Sequence, residues 1–326
     1  MTETFQNFNK LSQRINEAKR IVLSTHANPD GDALGSMLAL SFYLEEIKKE
    51  HLCFAREKLM DSYYFLPGVE KVSGRIEDIR NYDLIILIDT GDIKRAGLFE
   101  YLGRPEDFPG KIINIDHHLT YLGEWAKKTE LNIINLEVSS VSEIIYRFFT
   151  QIKETINKEK ATNLLTGILT DTSCFSNLGT TTNSFSVAAH LLNKGANLKK
   201  ICDHTQKNNN IISLRLWGRA LARLEKNEKT GVITSVITRQ DMEECEATEE
   251  STEGISNFLN SLSEAKFTLL LKEEEGGRIK GSLRTTRDDV DVSKIAAFFG
   301  GGGHKKAAGF SVRGKLVKTS SGWKIE

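Results

Sequence analysis

The sequence predicts an α/β protein with an N-terminal parallel-sheet domain followed by a smaller α/β domain. Short, wholly apolar runs alternate with stretches of helical periodicity in the first part of the chain, as in a buried parallel sheet with crossover helices. From about Gly231 the pattern changes to strand, helix, strand. The 326 residues are enough for two domains at ~150 residues each. We expect domains at residues 1–196 and 226–326, joined by a linker at 197–225.

The first domain opens with an amphipathic helix and continues with strands that end at polar side chains. Phe8, Leu11 and Ile15 recur at helical spacing in the first twenty residues. The next predicted elements are a strand at 21–25 leading into His26, a helix at 33–47, a strand at 84–88 leading into Asp89, and a strand at 111–115 leading into Asp116. In an open sheet of this kind the ligand site lies beyond the carboxyl ends of the strands.

The remaining elements follow from the same periodicities. The stretch 161–171 is predicted to be a helix that ends at Asp171, and 183–195 is a further helix with Gly195 as its cap. The polar stretch 197–210 is predicted to be a linker, continued by a helix around Trp217. The second domain is predicted to contain a strand at 232–237, a helix at 254–262 and a hairpin formed by 267–271 and 278–283.

Composition excludes several classes of protein. The 44 basic and 44 acidic residues cancel, which argues against a generic nucleic-acid coat protein. Ordinary apolar content argues against disorder, and no apolar run approaches the ~20 residues of a membrane span. The polar N-terminus has no signal-peptide pattern, and the four cysteines are scattered. We therefore expect a cytoplasmic protein with reduced thiols and no membrane partner.

Candidate functional side chains fall into four motifs at strand or helix ends. The first motif alone has a structural explanation, since 28–31 has turn composition and Asp32 could cap a helix. Carboxylates after buried strands are nevertheless costly unless they are paired or bound to metal. The motif residues are His26, Asp30 and Asp32 in one loop, Asp89 after the most apolar run, Asp116 with His117 and His118, and Asp171.

Charge decides how the motifs combine. Four carboxylates in one crevice, with no Lys or Arg accompanying the motifs, cannot all ionise unaided. Two divalent cations would neutralise them. Asp and His ligands without cysteine favour Mn²⁺ or Mg²⁺ over structural zinc, and paired metal ions are the usual device for in-line phosphoryl transfer.

In this order, the segments HANPDGD, LIDTGD, DHH and ILTDT resemble the motifs of the DHH phosphoesterase superfamily. The segment FFGGGGHKKAAG (298–309) resembles the signature of the DHH-associated C-terminal domain. Together they resemble the nanoRNase branch of bifunctional oligoribonucleases and 3′-phosphoadenosine-5′-phosphate (pAp) phosphatases. The resemblance implies a DHH metal-binding domain followed by a substrate-binding domain.

The resemblance also implies residue roles. One metal ion would be held by His26, Asp30 and Asp89, and a second by Asp32, Asp89, His117 and Asp171, so that Asp89 bridges. His118 would contact the scissile phosphate or a leaving oxygen, and Asp116 would orient a histidine by accepting its other ring N–H. The substrate-binding residues would be Ser282, Arg284, Gly301, Gly302, Gly303 and His304.

We therefore expect a phosphodiesterase and phosphatase that hydrolyses short oligoribonucleotides and removes the 3′-phosphate of pAp. It would use two divalent ions, most simply Mn²⁺, with Mg²⁺ or Co²⁺ as alternatives. A homodimer is left open. The alternatives are a phosphodiesterase for linear dinucleotides such as pApA or pGpG, a pyrophosphatase or polyphosphatase, and a nucleotide-binding module without catalysis.

Overall fold

The computed structural model describes residues 3–118, 122–177, 179–205, 211–319 and 322–326. The chain divides into two compact units, Met1–Asn208 and Asn209–Glu326. Among the described residues, no helix has both the length and the apolar character needed to span a bilayer.

The first unit is a parallel sheet with helices on its faces. Its helices are α1 (Glu3–Glu17), α2 (Gly31–Glu46), α3 (Phe99–Leu102), α4 (Val141–Gln151), α5 (Lys158–Asp171), α6 (Thr182–Asn193) and α7 (Leu198–Thr205). Its strands are β1 (Arg20–Ser24), β2 (Glu50–Phe54), β3 (Val72–Ser73), β4 (Leu84–Ile88), β5 (Lys111–Asp116) and β6 (Thr129–Ile134).

The strand order of this sheet places a topological switch point between β1 and β4. The order is β3-β2-β1-β4-β5-β6, and every pairing is parallel. The chain builds outward from β1 to β3, then returns to β4 and builds in the other direction. In such sheets the crevice beyond the carboxyl ends of the two central strands is the favoured ligand site.

Apolar side chains cover both faces of the sheet. Every residue of β4 is buried, which explains why this run lacks alternation. One face packs against α1, α2, α4 and α5, with Met37, Phe148 and Leu164 in its core. Helices α2 and α5 pack closely together, and a Cβ on Gly35 would collide with the Asn163 carbonyl. This close contact fixes the beginning of α2 relative to the end of α5.

The second unit is built on a mixed sheet. Its helices are α8 (Ile211–Leu221), α9 (Arg239–Glu244), α10 (Ile255–Leu259) and α11 (Val292–Phe298). Its strands are β7 (Glu225–Asn227), β8 (Val232–Ile237), β9 (Phe267–Glu274), β10 (Arg278–Arg284), β11 (Gly302–Gly303), β12 (Ala307–Arg313), β13 (Leu316–Thr319) and β14 (Gly322–Ile325). The main sheet has the order β11-β12-β10-β9-β8-β7, in which only β8 and β9 pair in parallel, and β13 pairs with β14 separately.

The predicted fold class is confirmed: a parallel α/β sheet is followed by a smaller mixed α/β unit. Most of the stretch 197–225, predicted as a linker, is helical, and the helix expected around Trp217 is α8. Helix α7 packs on α5 within the first unit, and α8 packs on β8 within the second. Positions 206–210 lie outside the described residues. The apolar residues Ile201, Leu216 and Trp217 are buried and make each helix part of its own unit.

Candidate metal centre

The three central strands of the first sheet bring their polar ends to one edge. His26 lies two residues after β1, Asp89 follows β4 directly, and Asp116 ends β5. Because β1 pairs with β4 and β4 with β5, these residues meet at the carboxyl edge of the sheet.

The loop after β1 supplies two carboxylates with different local roles. Asp30, and not Asp32, is the N-cap of α2: its Oδ1 accepts hydrogen bonds from Asp32 N and Ala33 N, both 3.0 Å. Asp32 is fully buried, and its two oxygens accept from Val141 N at 2.6 Å and Ser142 N at 2.9 Å. Asp32 therefore ties the beginning of α2 to the N-terminus of α4, whose unpaired amides favour negative charge.

Asp89 adopts a left-handed backbone conformation at the end of β4, with φ of 55°. This conformation is uncommon for a residue with a side chain, and here the Asp89 amide donates to the Ile115 carbonyl at 3.0 Å. The buried Oδ1 lies 3.4 Å from His118 Nδ1 and 3.8 Å from His117 Nε2. The unusual backbone thus turns the carboxylate toward both histidines.

The histidine pair after β5 is held from two sides. Asp116 Oδ1 accepts from the His118 amide at 2.9 Å and lies 3.1 Å from His118 Nδ1. His117 Nε2 lies 3.2 Å from Asp171 Oδ2. The two imidazole rings meet edge to face, with centroids 4.0 Å apart. The predicted orienting contact of Asp116 is therefore made to His118.

Asp171 ends α5 and is followed by three consecutive left-handed residues. Ser173, Cys174 and Phe175 have φ between 48° and 64°. The turn is tied back to the helix because Cys174 N donates to the Leu169 carbonyl at 2.7 Å and Asn177 Nδ2 donates to the Asp171 carbonyl at 2.6 Å. Residues in such conformations cost roughly 1–3 kcal/mol each and persist only where the surroundings impose them.

All six predicted metal ligands lie in one cluster. Together with His118 they form three groups of three residues, and within each group the candidate ligand atoms lie within 4.8 Å of one another. Asp89 and His117 each belong to two of the groups. The groups are His26 with Asp30 and Asp89, Asp32 with His117 and Asp171, and Asp89 with His117 and His118.

The cluster concentrates negative charge in a buried place. Burial and the charge of Asp30 raise the pKa of Asp32 to about 6, against the effect of its amide hydrogen bonds. Burial, then neighbouring carboxylates, raise the pKa of Asp171 well above its ordinary value; burial does the same for Asp89. Asp89 Oδ1 and His117 Nε2 are buried without a hydrogen-bond partner among the described residues. Unsatisfied ligand atoms amid excess negative charge fit a cation.

The histidines differ in protonation. Burial and the charge of His118 lower the pKa of His117 to about 4, which leaves a neutral imidazole suited to metal binding. Burial opposes protonation of His118, but the hydrogen bond to Asp116 and the nearby Asp89 carboxylate raise its pKa to about 10. Burial also lowers the pKa of His26, and the charge of Arg95 contributes to this shift. The prediction that no basic residue accompanies the motifs is therefore wrong for Arg95.

The sequence also gave no sign of the amides of Val141 and Ser142, which hold Asp32. Their contribution could have been suspected only from Ser140, whose hydroxyl accepts from Glu143 N at 3.2 Å and marks the start of α4.

The six predicted substrate-binding residues lie on neighbouring parts of the second unit. Arg284 pairs with Ala307 across β10 and β12, and Ala307 closes a turn with His304 through two backbone hydrogen bonds. Ser282 and Gly302 both pair with Gly309, and Gly303 pairs with Ala308. Gly301 has no room for a side chain, because a Cβ would meet the Gly309 carbonyl and Phe310. The glycine run is thus packed against β12.

These features define an α/β protein whose parallel sheet carries a carboxylate and imidazole cluster suited to metal ions at its carboxyl edge. Two family models match this chain one after the other. Residues 20–168 match the model described as the DHH family, N-terminal domain, and residues 220–319 match the DHHA1 domain.

Three similar proteins illustrate the relationship. A bifunctional oligoribonuclease and PAP phosphatase from Thermus thermophilus is 29% identical, with 90% of this chain and 84% of the relative covered. A protein of the same description from Bacillus subtilis is 26% identical over 93% of this chain and 92% of the relative. The solved structure of an exopolyphosphatase-related protein from Bacteroides fragilis has a TM-score of 0.85 at 26% identity and covers 95% of this chain and 92% of that one.

Proposed function

We propose that this chain is a metal-dependent phosphoesterase that hydrolyses short oligoribonucleotides and removes the 3′-phosphate of pAp. The observation that carries the proposal is the clustering of six candidate ligand side chains, Asp89 among them, with two of their atoms buried and unsatisfied. Relatives described as oligoribonucleases and PAP phosphatases match most of the chain and support the choice of substrates.

Two groups of side chains would hold the cations. His26, Asp30 and Asp89 would bind one ion, and Asp32, His117 and Asp171 would bind the other, with Asp89 shared. Divalent ions in such a site supply Lewis acidity, activating water as a nucleophile and neutralising charge on phosphoryl oxygens. Oxygen and imidazole donors without thiolate favour Mn²⁺, with Mg²⁺ or Co²⁺ as alternatives.

The residues around the ligands have distinct tasks in this proposal. Asp32 keeps its position because two α4 amides hold it. Asp116 fixes the ring of His118, whose side chain is 39% exposed and can meet a substrate phosphate or leaving oxygen at the surface of the cluster. In the second unit, Ser282, Arg284, His304 and the glycines 301–303 would bind the nucleotide, since a guanidinium and closely packed backbone amides suit phosphate.

Turnover assays on the purified chain with added Mn²⁺ test the proposal. A diribonucleotide, a 24-mer RNA, pAp and pyrophosphate are compared in the wild type and in His117→Ala. We expect rapid turnover of the dinucleotide and pAp, and a loss of about 10³-fold or more in the variant. Preference for the 24-mer would contradict the proposed substrate class, and absence of turnover on every substrate would favour a binding module.

Inorganic polyphosphate is the second candidate substrate. It is favoured by the 0.85 TM-score to a protein described as exopolyphosphatase-related. A linear dinucleotide such as pApA is already covered by the dinucleotide assay. Pyrophosphate or polyphosphate turnover faster than dinucleotide turnover would replace the nucleotide proposal and leave the metal centre in place. The cytoplasmic location, the homodimer and the domain boundaries expected from the sequence stay predictions.

A further inference from the structure

Arg284 is a half-buried cation at the end of β10. It lies on the same strand face as Ser282, because alternate residues of a strand share a face. That face packs against α10. Burial lowers the pKa of the Arg284 guanidinium, and no neighbouring charge offsets the effect. Desolvating a cation without compensation is costly, so a purely structural arginine is expected to have an acidic partner here.

The described part of the second unit provides no such partner. Three other partly buried basic side chains of this unit do pair with carboxylates: Arg223 with Asp241, Lys272 with Glu249 and Lys306 with Asp288. Within the described residues, no carboxylate lies within ion-pair distance of Arg284. Its hydrogen bonds run instead to neutral acceptors. Nη1 donates to the Leu283 carbonyl at 2.9 Å, and Nε donates to Asn257 Oδ1 at 3.2 Å.

Asn257 reaches Arg284 from the outer side of α10. It is an exposed residue on a five-residue helix whose apolar members, Ile255 and Leu259, are buried in the core of the second unit. The backbone of Asn257 is therefore firmly placed, and its amide oxygen restricts the rotation of the guanidinium plane. Because an amide is neutral, it orients the cation without cancelling its charge.

We propose that Asn257 is a positioning residue that holds Arg284 oriented and electrically uncompensated for a phosphate group of the substrate. This inference rests on the proposed function and extends it to a residue of α10 outside the motifs. The occupied Nε leaves the outer edge of the guanidinium, with Nη2 and the second Nη1 hydrogen, to bind a phosphate through two parallel hydrogen bonds. The essential property of Asn257 is that its side chain is neutral. We therefore expect an aspartate at position 257, which has the same shape but carries a charge, to weaken phosphate binding.

The experiment compares AMP binding by full-length variants, with adenosine as the ligand that lacks phosphate. Asn257→Asp keeps the size and the acceptor but adds a charge beside Arg284. We expect it to weaken AMP binding about tenfold, since a charged hydrogen bond is lost to an internal ion pair. Asn257→Ala leaves the charge of Arg284 unpaired but no longer orients its guanidinium, and we expect AMP affinity to fall about threefold. Adenosine binding stays unchanged in both variants.

A matched control tests whether the effect requires the added charge to lie beside Arg284. Asn227→Asp makes the same change on the exposed strand β7, where the side-chain oxygen accepts from Lys229 N and Thr230 N as an aspartate can also do. We expect AMP binding by this control to equal that of the wild type. The Nε–Hε signal of Arg284 in ¹⁵N spectra gives a second readout, which Asn257→Ala shifts and Asn227→Asp leaves in place.

The outcomes distinguish this inference from the proposed function. If Arg284→Ala loses AMP affinity while Asn257→Asp binds AMP as the wild type does, the positioning role is wrong. If Arg284→Ala itself binds normally, the phosphate site is not at Arg284 and the inference is also wrong. Turnover of bis(p-nitrophenyl) phosphate reports the metal centre separately. Its absence in the wild type contradicts the proposed phosphoesterase, whereas the AMP comparison still decides the role of Asn257.

Discussion

Asp32 and Asp171 belong to the same group of candidate ligands but differ in what else they hold. Asp32 accepts two amides of α4, one on each oxygen. The Asp171 carboxylate lies 3.2 Å from His117 Nε2, and no backbone amide of the described residues donates to it. An asparagine can accept with only one of its two terminal atoms. Substitutions at the two positions therefore distinguish a side chain that would bind metal and also hold the fold from one that would bind metal only.

We expect Asp32→Asn and Asp171→Asn both to lose bound Mn²⁺, but only the first to weaken the fold. The metal-free Asp32→Asn variant should be less stable than Asp171→Asn by about 2 kcal/mol, because one buried amide loses its acceptor. Metal content by mass spectrometry and urea unfolding of both variants measure this. Equal stability of the two metal-free variants would show that the α4 amides do not depend on Asp32.

The pH dependence of the metal-free protein follows from the raised carboxyl pKa values. A carboxyl group whose pKa is higher in the folded state stabilises the fold below its unfolded pKa, near 4, and loses this contribution as pH rises through its folded value. For Asp32 that value is about 6, and Asp89 and Asp171 are also raised. We expect the melting temperature of the first unit without metal to fall between pH 4 and 6, and added Mn²⁺ to reverse the fall. A melting temperature that does not change with pH in the metal-free protein would contradict the raised carboxyl pKa values.

At the level of single residues, the motifs could be predicted from the sequence and their supporting contacts could not. His26, Asp89 and Asp116 were recognisable because each follows an apolar run that ends at the same sheet edge. The capping role offered for Asp32 was wrong because its partners, Val141 and Ser142, lie more than 100 residues away in the chain. Asn257 is a lone polar residue on a short helix, and only the tertiary structure shows that it meets Arg284.

At the level of elements, the contact between α2 and α5 sets the position of the ligands at their ends. Asp32 lies in the first turn of α2 and Asp171 in the last turn of α5, and the two helices touch where Gly35 faces the Asn163 carbonyl. A Cβ at position 35 would overlap the Asn163 carbonyl, so α2 and α5 would have to move apart to accommodate it.

We expect Gly35→Ala to destabilise the first unit by about 2 kcal/mol through overpacking and to weaken Mn²⁺ binding. Gly218→Ala is the control, since it lies in α8 with open space around the added Cβ. That substitution should stabilise the second unit by about 0.5–1 kcal/mol through helix propensity. Thermal unfolding and a metal titration of each variant measure both effects. Normal metal affinity in Gly35→Ala would show that metal binding does not depend on the spacing of α2 and α5.

Elements with a strong hydrophobic periodicity could be predicted from the sequence. Elements whose conformation depends on pairing or packing with other elements could not. Strands β4 and β8 have the predicted bounds, 84–88 and 232–237, because their runs are apolar and end at charged residues or turns. Strands β2 and β6 were missed. Their sequences contain His51 or Asn132 among apolar residues, and their strand conformation depends on parallel pairing with β1 and β5. Helix α7 lies within the predicted linker because its apolar residues are few and its helical state depends on packing against α5.

At the level of the whole molecule, the two units have separate stabilising groups. In the second unit, Asp241 accepts from Arg223, Thr238 N and Thr238 Oγ1. Burial opposes ionisation of this carboxyl, but Arg223 and the two Thr238 groups lower its pKa to about 2. Its contribution to stability is present above its unfolded pKa, near 4, and is lost as pH falls toward 2.

We expect calorimetry to resolve two transitions that respond to different changes. Mn²⁺ should raise only the transition of the first unit, which contains every candidate ligand. Asp241→Asn should lower only that of the second unit, by about 3 kcal/mol of unfolding free energy, because Arg223 loses its buried partner. A single transition that moves with both changes would show that the two units unfold together.

The position of the ligands along the chain has a consequence for biosynthesis. The last candidate ligand, Asp171, is followed by 155 of the 326 residues. At about 5–20 residues per second, the ribosome needs roughly 8–30 s to make that remainder, whereas mixed α/β domains fold within about a second. The nascent chain can therefore close its first sheet and acquire metal while the second unit is still being translated. The order of translation would then place metal loading before any encounter with substrate.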